Sequence, residues 1–231
     1  MKLLAVDTAT QACSIALAEN DRIIFESTAD YARTHTRHLL TMIDDALRQA
    51  ETDIDEIDGF AVTVGPGSFT GLRIGISMVK GLARAASKPV MGVSSLEALA
   101  YQFAGTRDLV CPVVDARKKE VYTALYKWSG DRFETIRPPQ VGRPDEVLEQ
   151  IGGRCIFVGN GAVLYRDLIE KQLGTSGVTV PPAMNMIRAS LVAHLGFRRF
   201  SESGPLSPSE IQPLYIRRSD AEHAKIALQA C

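Results

Sequence analysis

One pattern occurs twice in this chain, 108 residues apart: an apolar strand ending in aspartate, a turn, and an apolar strand that returns. Val6/Val114, Asp7/Asp115, Ala16/Ala124 and Leu17/Leu125 are identical pairs, and no gap is needed to align them. A repeated strand–Asp–turn–strand unit predicts two similar sheets facing each other. The 231 residues fit that division, because two domains of about 110 residues each lie in the usual size range. The boundary is placed near Gly105-Thr106-Arg107-Asp108, giving lobes 1–104 and 105–231. Hydrophobic residues make up 45% and the mean hydropathy is +0.00, which is ample for a core and excludes disorder for the bulk of the chain. Lys and Arg number 26 against 27 Asp and Glu, so the net charge of −1 argues against independent, tight binding of nucleic acid. The longest apolar runs, such as 109–114, are far too short for a membrane span. An acidic residue at Asp7 enters too early for a secretory leader. The expectation is a soluble cytoplasmic α/β protein with no membrane partner.

In the first lobe the residues read as strands at 3–6, 13–17 and 23–25, then a helix over 36–50. On that helix Met42, Ala46, Leu39, Ala50, Ile43, Leu47 and Leu40 fill one arc and Asp44, Arg37, Arg48, Thr41 and Asp45 lie opposite. A strand at 60–64 leads through Gly65-Pro66-Gly67-Ser68-Phe69-Thr70-Gly71 into a helix over 72–86, a strand at 90–93, and a helix through Phe103 capped by Ser94 and Glu97. The second lobe shows a strand and loop at 155–161 and helices over 163–172 and 187–200. Pro-rich 201–213 reads as a linker, and 217–231 as a mobile tail. The cysteines Cys13, Cys111, Cys155 and Cys231 form no CxxC pair, and the first three sit in apolar runs as reduced core thiols.

The glycine loop stands where backbone N–H groups can hold an anion, between a strand and a helix. It lacks the Gly-Lys-Ser/Thr ending of a Walker loop, since Leu72 follows Gly71, and Thr70 stands where a dinucleotide loop needs glycine. On spacing alone it reads as a tight turn that permits close packing. The helix after it is less ordinary. Lys80, Arg73, Arg84 and Ser77 occupy a wedge of roughly 60°, whereas apolar residues cover roughly 200°, about twice what one sheet requires. Two readings stay open: the helix is sandwiched within the chain, or a second protein covers the excess, and Gly71, Gly75 and Gly81 would allow close approach of another helix. His35 and His38 lack a third ligand at a matching position. The basic run Arg117-Lys118-Lys119 suits phosphate contact, although such runs are commonly solvated turns. Asp7 and Asp115, with Thr8 and Thr10, have the form of a vestigial Mg-nucleotide cleft. The bulky residues after Asp115 fit that role poorly.

The strings Ala5-Val6-Asp7-Thr8-Ala9-Thr10, Gly65 to Gly71 with Leu72-Arg73-Ile74-Gly75, Met91-Gly92-Val93-Ser94-Ser95-Leu96 and Pro213-Leu214-Tyr215-Ile216-Arg217 closely resemble the bacterial TsaB (YeaZ) family over nearly the whole chain. The resemblance implies the two-lobed actin/Hsp70/sugar-kinase (ASKHA) fold. It also implies a role in forming N6-threonylcarbamoyladenosine at tRNA position 37, beside a catalytic TsaD subunit and the ATPase TsaE. In the catalytic relative two histidines bind metal; Ser95 and Leu99 stand at those positions here, and leucine offers no lone pair. The expectation is therefore a non-catalytic scaffold with no metal and no required cofactor, although weak binding of ATP or ADP with Mg stays open. It would pair with TsaD through Leu39, Met42, Ile43, Ile74, Met78, Val79 and Leu82, form a homodimer when alone, and meet tRNA only through the complex. The enzyme alternative is an ATP-dependent small-molecule kinase using Asp7 and Asp115. A metal-dependent peptidase fits least, for want of histidines.

Overall fold

A computed structural model describes residues 1–20, 22–30 and 35–217, the side chains of 35–37 excepted. The first unit holds β1 (Lys2–Asp7), β2 (Ala12–Glu19), β3 (Arg22–Asp30), α1 (His35–Gln49), β4 (Gly59–Gly65), α2 (Phe69–Ala85), β5 (Val90–Ser94) and α3 (Ser95–Tyr101). The second holds β6 (Leu109–Asp115), β7 (Val121–Ser129), β8 (Arg132–Gly142), α4 (Pro144–Glu149), β9 (Cys155–Val158), α5 (Asn160–Leu164), α6 (Arg166–Leu173), β10 (Gly177–Thr179) and α7 (Ala189–Ser203). The first sheet is ordered β3-β2-β1-β4-β5 and the second β8-β7-β6-β9-β10. Each begins as an antiparallel meander of three strands and adds two strands parallel to the first. The duplicated unit is thus a duplicated sheet.

The register of the two hairpins is not identical. Ala5 faces Ala16 in the first, but Val113 faces Thr123 rather than Ala124 in the second. The turn after Asp115 is therefore one residue tighter, and the gapless alignment of Ala16 with Ala124 slips across the returning strand. β8 escaped the sequence reading because it carries Pro138 and Pro139 and is largely exposed. An edge strand tolerates proline, whose missing N–H faces solvent. The helix expected over 163–172 breaks at Tyr165 into α5 and α6. Neither Gly nor Pro marks the break, so periodicity could not show it.

The lobes are not the two halves 1–104 and 105–231. Helix α7 crosses back to pack on β1, β2, β4 and β5 of the first sheet, and α3 packs on β6 and β7 of the second. β1 is buried from Leu3 to Asp7 because α7 covers one face of its sheet, while α1 and α2 pack around the other. Docking of α7 is fixed at its N-terminus, where N–H groups have no helical partner. Ser14 accepts the Ala189 N–H at 3.0 Å, and Glu26 accepts the Ser190 N–H at 3.0 Å while pairing with Arg188. Burial opposes the Glu26 charge, but the bonds from Arg188 and Ser190 outweigh it and hold the carboxyl below its ordinary range.

The expected linker is also part of the first lobe. Val90 N–H bonds Leu206 O at 3.0 Å, Lys80 reaches Ile211 O at 2.8 Å, and Leu214 N–H bonds Val64 O at 2.7 Å. Ile211 is buried in the main core. Arg217, placed at the start of the mobile tail by the sequence, instead bonds Glu120 at 2.7 Å and Ala116 O at 2.8 Å in the second lobe. The remaining tail, 218–231, and the side chain of His35 lie outside the described residues.

Candidate functional site

Asp7 ends β1 in the middle of the first sheet and is completely buried. Its Oδ1 accepts from the Thr63 hydroxyl at 2.7 Å and from Ala9 N–H at 3.1 Å, while Oδ2 has no partner. Burial raises its pKa from 3.8 to about 7, against the two hydrogen bonds. Burial, and then the Asp7 charge, push the Cys13 thiol up to about 12. Cys13, Cys111 and Cys155 are free and buried, in line with reduced core thiols.

What seals Asp7 is the glycine loop. Ser68 N–H bonds Ala9 O at 2.7 Å, and Thr8 Oγ1 bonds Gly71 O at 2.7 Å. A Cβ on Gly67 would stand 2.2 Å from Ala9 O, and one on Gly71 2.1 Å from Thr8 O. Gly71 and Gly75 therefore do not receive a second helix, as their spacing allowed; they receive the turn after β1. Ser68 caps α2 by accepting the Gly71 N–H at 3.2 Å. Thr8 is fully buried and Thr10 nearly so. The chain itself fills the place where a phosphate would approach Asp7, so the residues present do not fit a Mg-nucleotide at this carboxyl.

A pH dependence follows. Folding raises the Asp7 pKa, so the folded chain holds this proton more tightly than the unfolded one. Its contribution is complete below about pH 4, declines as the pH rises toward 7 and is gone above, a total on the order of 4 kcal/mol. Thermal melts should show wild-type stability falling from pH 5 to pH 8 more steeply than that of Asp7→Asn. Parallel curves would refute a buried neutral carboxyl.

Asp115 keeps some solvent access and is held by local bonds. Its N–H bonds Asn160 Oδ1 at 3.1 Å, and its carboxylate takes Arg117 N–H at 2.8 Å and the Arg117 guanidinium at 3.3 Å. Arg117, Lys118 and Lys119 all have left-handed backbones, with φ of 62°, 54° and 60°. No glycine relieves this turn.

The proposed interface divides in two. Leu39, Met42, Ile43 and Val79 are buried and cannot meet a partner. α1 packs on β2, β3 and α2, while α2 also lies on β4, so neighbours within the chain consume much of the wide apolar arc. Ile74, Met78 and Leu82 are half-buried on the flank of α2, Leu40 of α1 is 52% exposed, and Gly81 has open space above it. The accessible face is thus smaller than the sequence implied. The sequence places Leu40 in the apolar arc of α1 but not among the interface residues chosen from it, because periodicity does not tell an exposed arc residue from a buried one.

Ser94 caps α3 by accepting the Glu97 N–H at 3.4 Å, but Glu97 turns to pair with Arg199 instead of closing a capping box. Buried Ser95 donates to Pro66 O at 2.7 Å, and Leu99 packs in the main core.

A family model described as TsaD, tRNA N6-adenosine threonylcarbamoyltransferase, matches residues 23–225. The tRNA threonylcarbamoyladenosine biosynthesis protein TsaB of Escherichia coli is 34% identical over 96% of both chains. YeaZ from Pseudomonas aeruginosa superposes with a TM-score of 0.79 at 28% identity, covering 93% of this chain and 99% of that one. Component A of the (R)-2-hydroxyglutaryl-CoA dehydratase of Acidaminococcus fermentans shares the fold at 11% identity, with a TM-score of 0.54 over 87% of this chain and 99% of that one. The architecture is the two-lobed actin/Hsp70/sugar-kinase type, built here as two sheets of one topology. On sequence and fold together, the chain belongs to the TsaB family of tRNA threonylcarbamoyladenosine biosynthesis proteins.

Proposed function

We propose that the chain is a non-catalytic subunit in formation of N6-threonylcarbamoyladenosine at tRNA position 37, docking a TsaD-type transferase through the α1–α2 face and working with a TsaE-type ATPase. The supporting observation is the use made of Ser95 and Leu99. These positions correspond to the metal-binding histidines of the catalytic relative, and here both side chains are spent on internal packing. A polar face beside them would have left a catalytic reading open. The partner meets Ile74, Met78, Leu82 and Leu40, and in its absence a second copy of this chain covers the same apolar face. No cofactor is required by this chain. Among the described residues no helix is long and apolar enough to cross a membrane.

Reconstitution of the modification with purified transferase and ATPase tests the reading. Product formation should depend on adding this chain, and Ser95→Ala should support it as well as wild type. Full modification without the chain would sink the scaffold role. The kinase reading is separated by calorimetry with Mg-ATP, where the sealed Asp7 leads us to expect no binding tighter than about millimolar, some −4 kcal/mol. Micromolar affinity lost in Asp7→Ala would favour the kinase.

A further inference from the structure

Helix α2 carries three cations and no acid: Arg73, Lys80 and Arg84 are its only charged residues, in a chain whose net charge is −1. The helix is continuous from Phe69 to Ala85, so its own geometry sets their positions. At 100° per residue the three stand with Ser77 in the narrow polar wedge, and the helical rise spreads them over about 16 Å along one side. None of the three forms an ion pair among the described residues. Lys80 donates to Ile211 O at 2.8 Å, Arg73 donates to the Tyr215 hydroxyl at 3.0 Å, and Arg84 is exposed. The Arg73 guanidinium also lies 3.8 Å from the centre of the Phe69 ring, and the Phe69 and Tyr215 rings are 4.8 Å apart. Aromatic faces and a carbonyl thus hold two of the three side chains in place without neutralising them.

This ridge borders the apolar face of the same helix. Ile74, Met78 and Leu82 lie to one side, and Thr70, Ser77 and Gly81, all exposed, lie between them and the ridge. A partner seated over Ser77 and Gly81 would touch apolar side chains on one flank and cations on the other. An apolar centre beside a charged rim is the anatomy of a protein interface, and rim charge acts mainly on encounter rate and choice of partner. An RNA backbone would have no use for the adjoining apolar flank. A second copy of this chain is a poorer match than an acidic partner. Its α2 offers no carboxylate, and Asp44 and Asp45 of its α1 are both engaged by Arg48.

We propose that the ridge of Arg73, Lys80 and Arg84 docks against carboxylates on the protein partner, beside the apolar contact made by Ile74, Met78 and Leu82. The inference rests on the docking reading above and adds the chemistry of the surface that this face accepts: an apolar strip edged on one side by Asp or Glu. Arg73 is held ready by Phe69 and Tyr215, so little side-chain freedom is lost when it meets an acid.

The test is the association rate of the full chain with a purified TsaD-type transferase, measured by stopped flow between about 0.05 and 0.5 M salt. Arg73→Gln/Arg84→Gln should associate roughly tenfold more slowly than wild type at the lower salt, and the two rates should converge at the higher. Both side chains are exposed, so the variant keeps its fold, which a thermal melt establishes. Lys80 is left in place because it ties Ile211 O to α2. Arg73→Lys/Arg84→Lys keeps the charge and should retain most of the wild-type rate. Arg132→Gln/Arg154→Gln removes as much charge from the second lobe and should stay within about twofold of wild type. Equal rates and equal salt dependence for wild type and the Gln variant of α2 would overturn the proposal. So would an unchanged rate with weakened binding of a tRNA transcript by the complex, which would make the ridge an RNA contact. A change confined to self-association of the chain would assign the ridge to a second copy and also overturn it. Failure of the wild-type chain to bind the transferase at any salt would instead sink the docking reading, and the ridge proposal with it.

Discussion

Replacing Met78 and Leu82 together by glutamate is expected to abolish co-purification with a TsaD-type partner while leaving the chain folded. Both side chains lie on the flank of α2 and are only half-buried in the isolated chain, so a carboxylate at either place can reach water. A docked partner would close that route. Each glutamate would then be buried without a cation, at a cost of several kcal/mol even after relaxation. Two such costs weaken association at least about a thousandfold, enough to lose the complex in any pull-down. Circular dichroism and a thermal melt establish that the double variant is folded. Leu40→Glu on the neighbouring helix, where 52% exposure removes concern about folding, should weaken the same complex. Intact complex formation by both folded variants would remove the α1–α2 face from consideration. Val79→Glu would be a misleading probe, because Val79 is fully buried and its failure would report only on the core.

The second large effect concerns the glycine loop. Gly71→Ala should prevent folding or lower the melting temperature drastically, because the new methyl would stand 2.1 Å from the Thr8 carbonyl oxygen. That oxygen is backbone, fixed by the β1–β2 turn, and cannot rotate aside. Relief requires the start of α2 to move off Thr8, which breaks the Thr8–Gly71 and Ser68–Ala9 hydrogen bonds and opens the cover over Asp7. A loss of more than about 3 kcal/mol is in line with overpacking combined with unpaired buried groups. Gly81→Ala on the same helix is the control. Nothing lies within 4 Å of its added methyl, so replacing a mid-helix glycine should stabilise the chain by roughly 0.5–1 kcal/mol. Equal melting temperatures for the two variants would show that the loop is not packed as described.

These results bear on where sequence reasoning reached and where it stopped. The strings around Asp7 and the glycine loop identified the family, and helical periodicity located α1 and α2 within a few residues. Periodicity reports that a face is apolar, but not what covers it. Leu39, Met42, Ile43 and Val79 belong to the same apolar arcs as the half-exposed residues, and only the packing of α1 against α2 and the sheet separates them. The glycines show the same limit. Their spacing suited an approaching helix, yet the approaching group is the turn after β1.

Sequence alone determined the duplication and the family, because each is a property of residue type and order. Tertiary structure decided three things: that α7 and 205–217 return to the first lobe, that Asp7 is sealed, and that Arg217 bridges to the turn after Asp115. Each depends on contacts between residues distant in the chain, such as Arg73 with Tyr215 or Ser14 with Ala189. No local pattern encodes such a contact, since its free energy comes from burial and hydrogen bonding that exist only after the chain has folded back on itself. The duplicated aspartate illustrates both sides. Residue order placed Asp7 and Asp115 in matching positions, and the surrounding packing made one a buried acid and the other a partly exposed partner of Arg117.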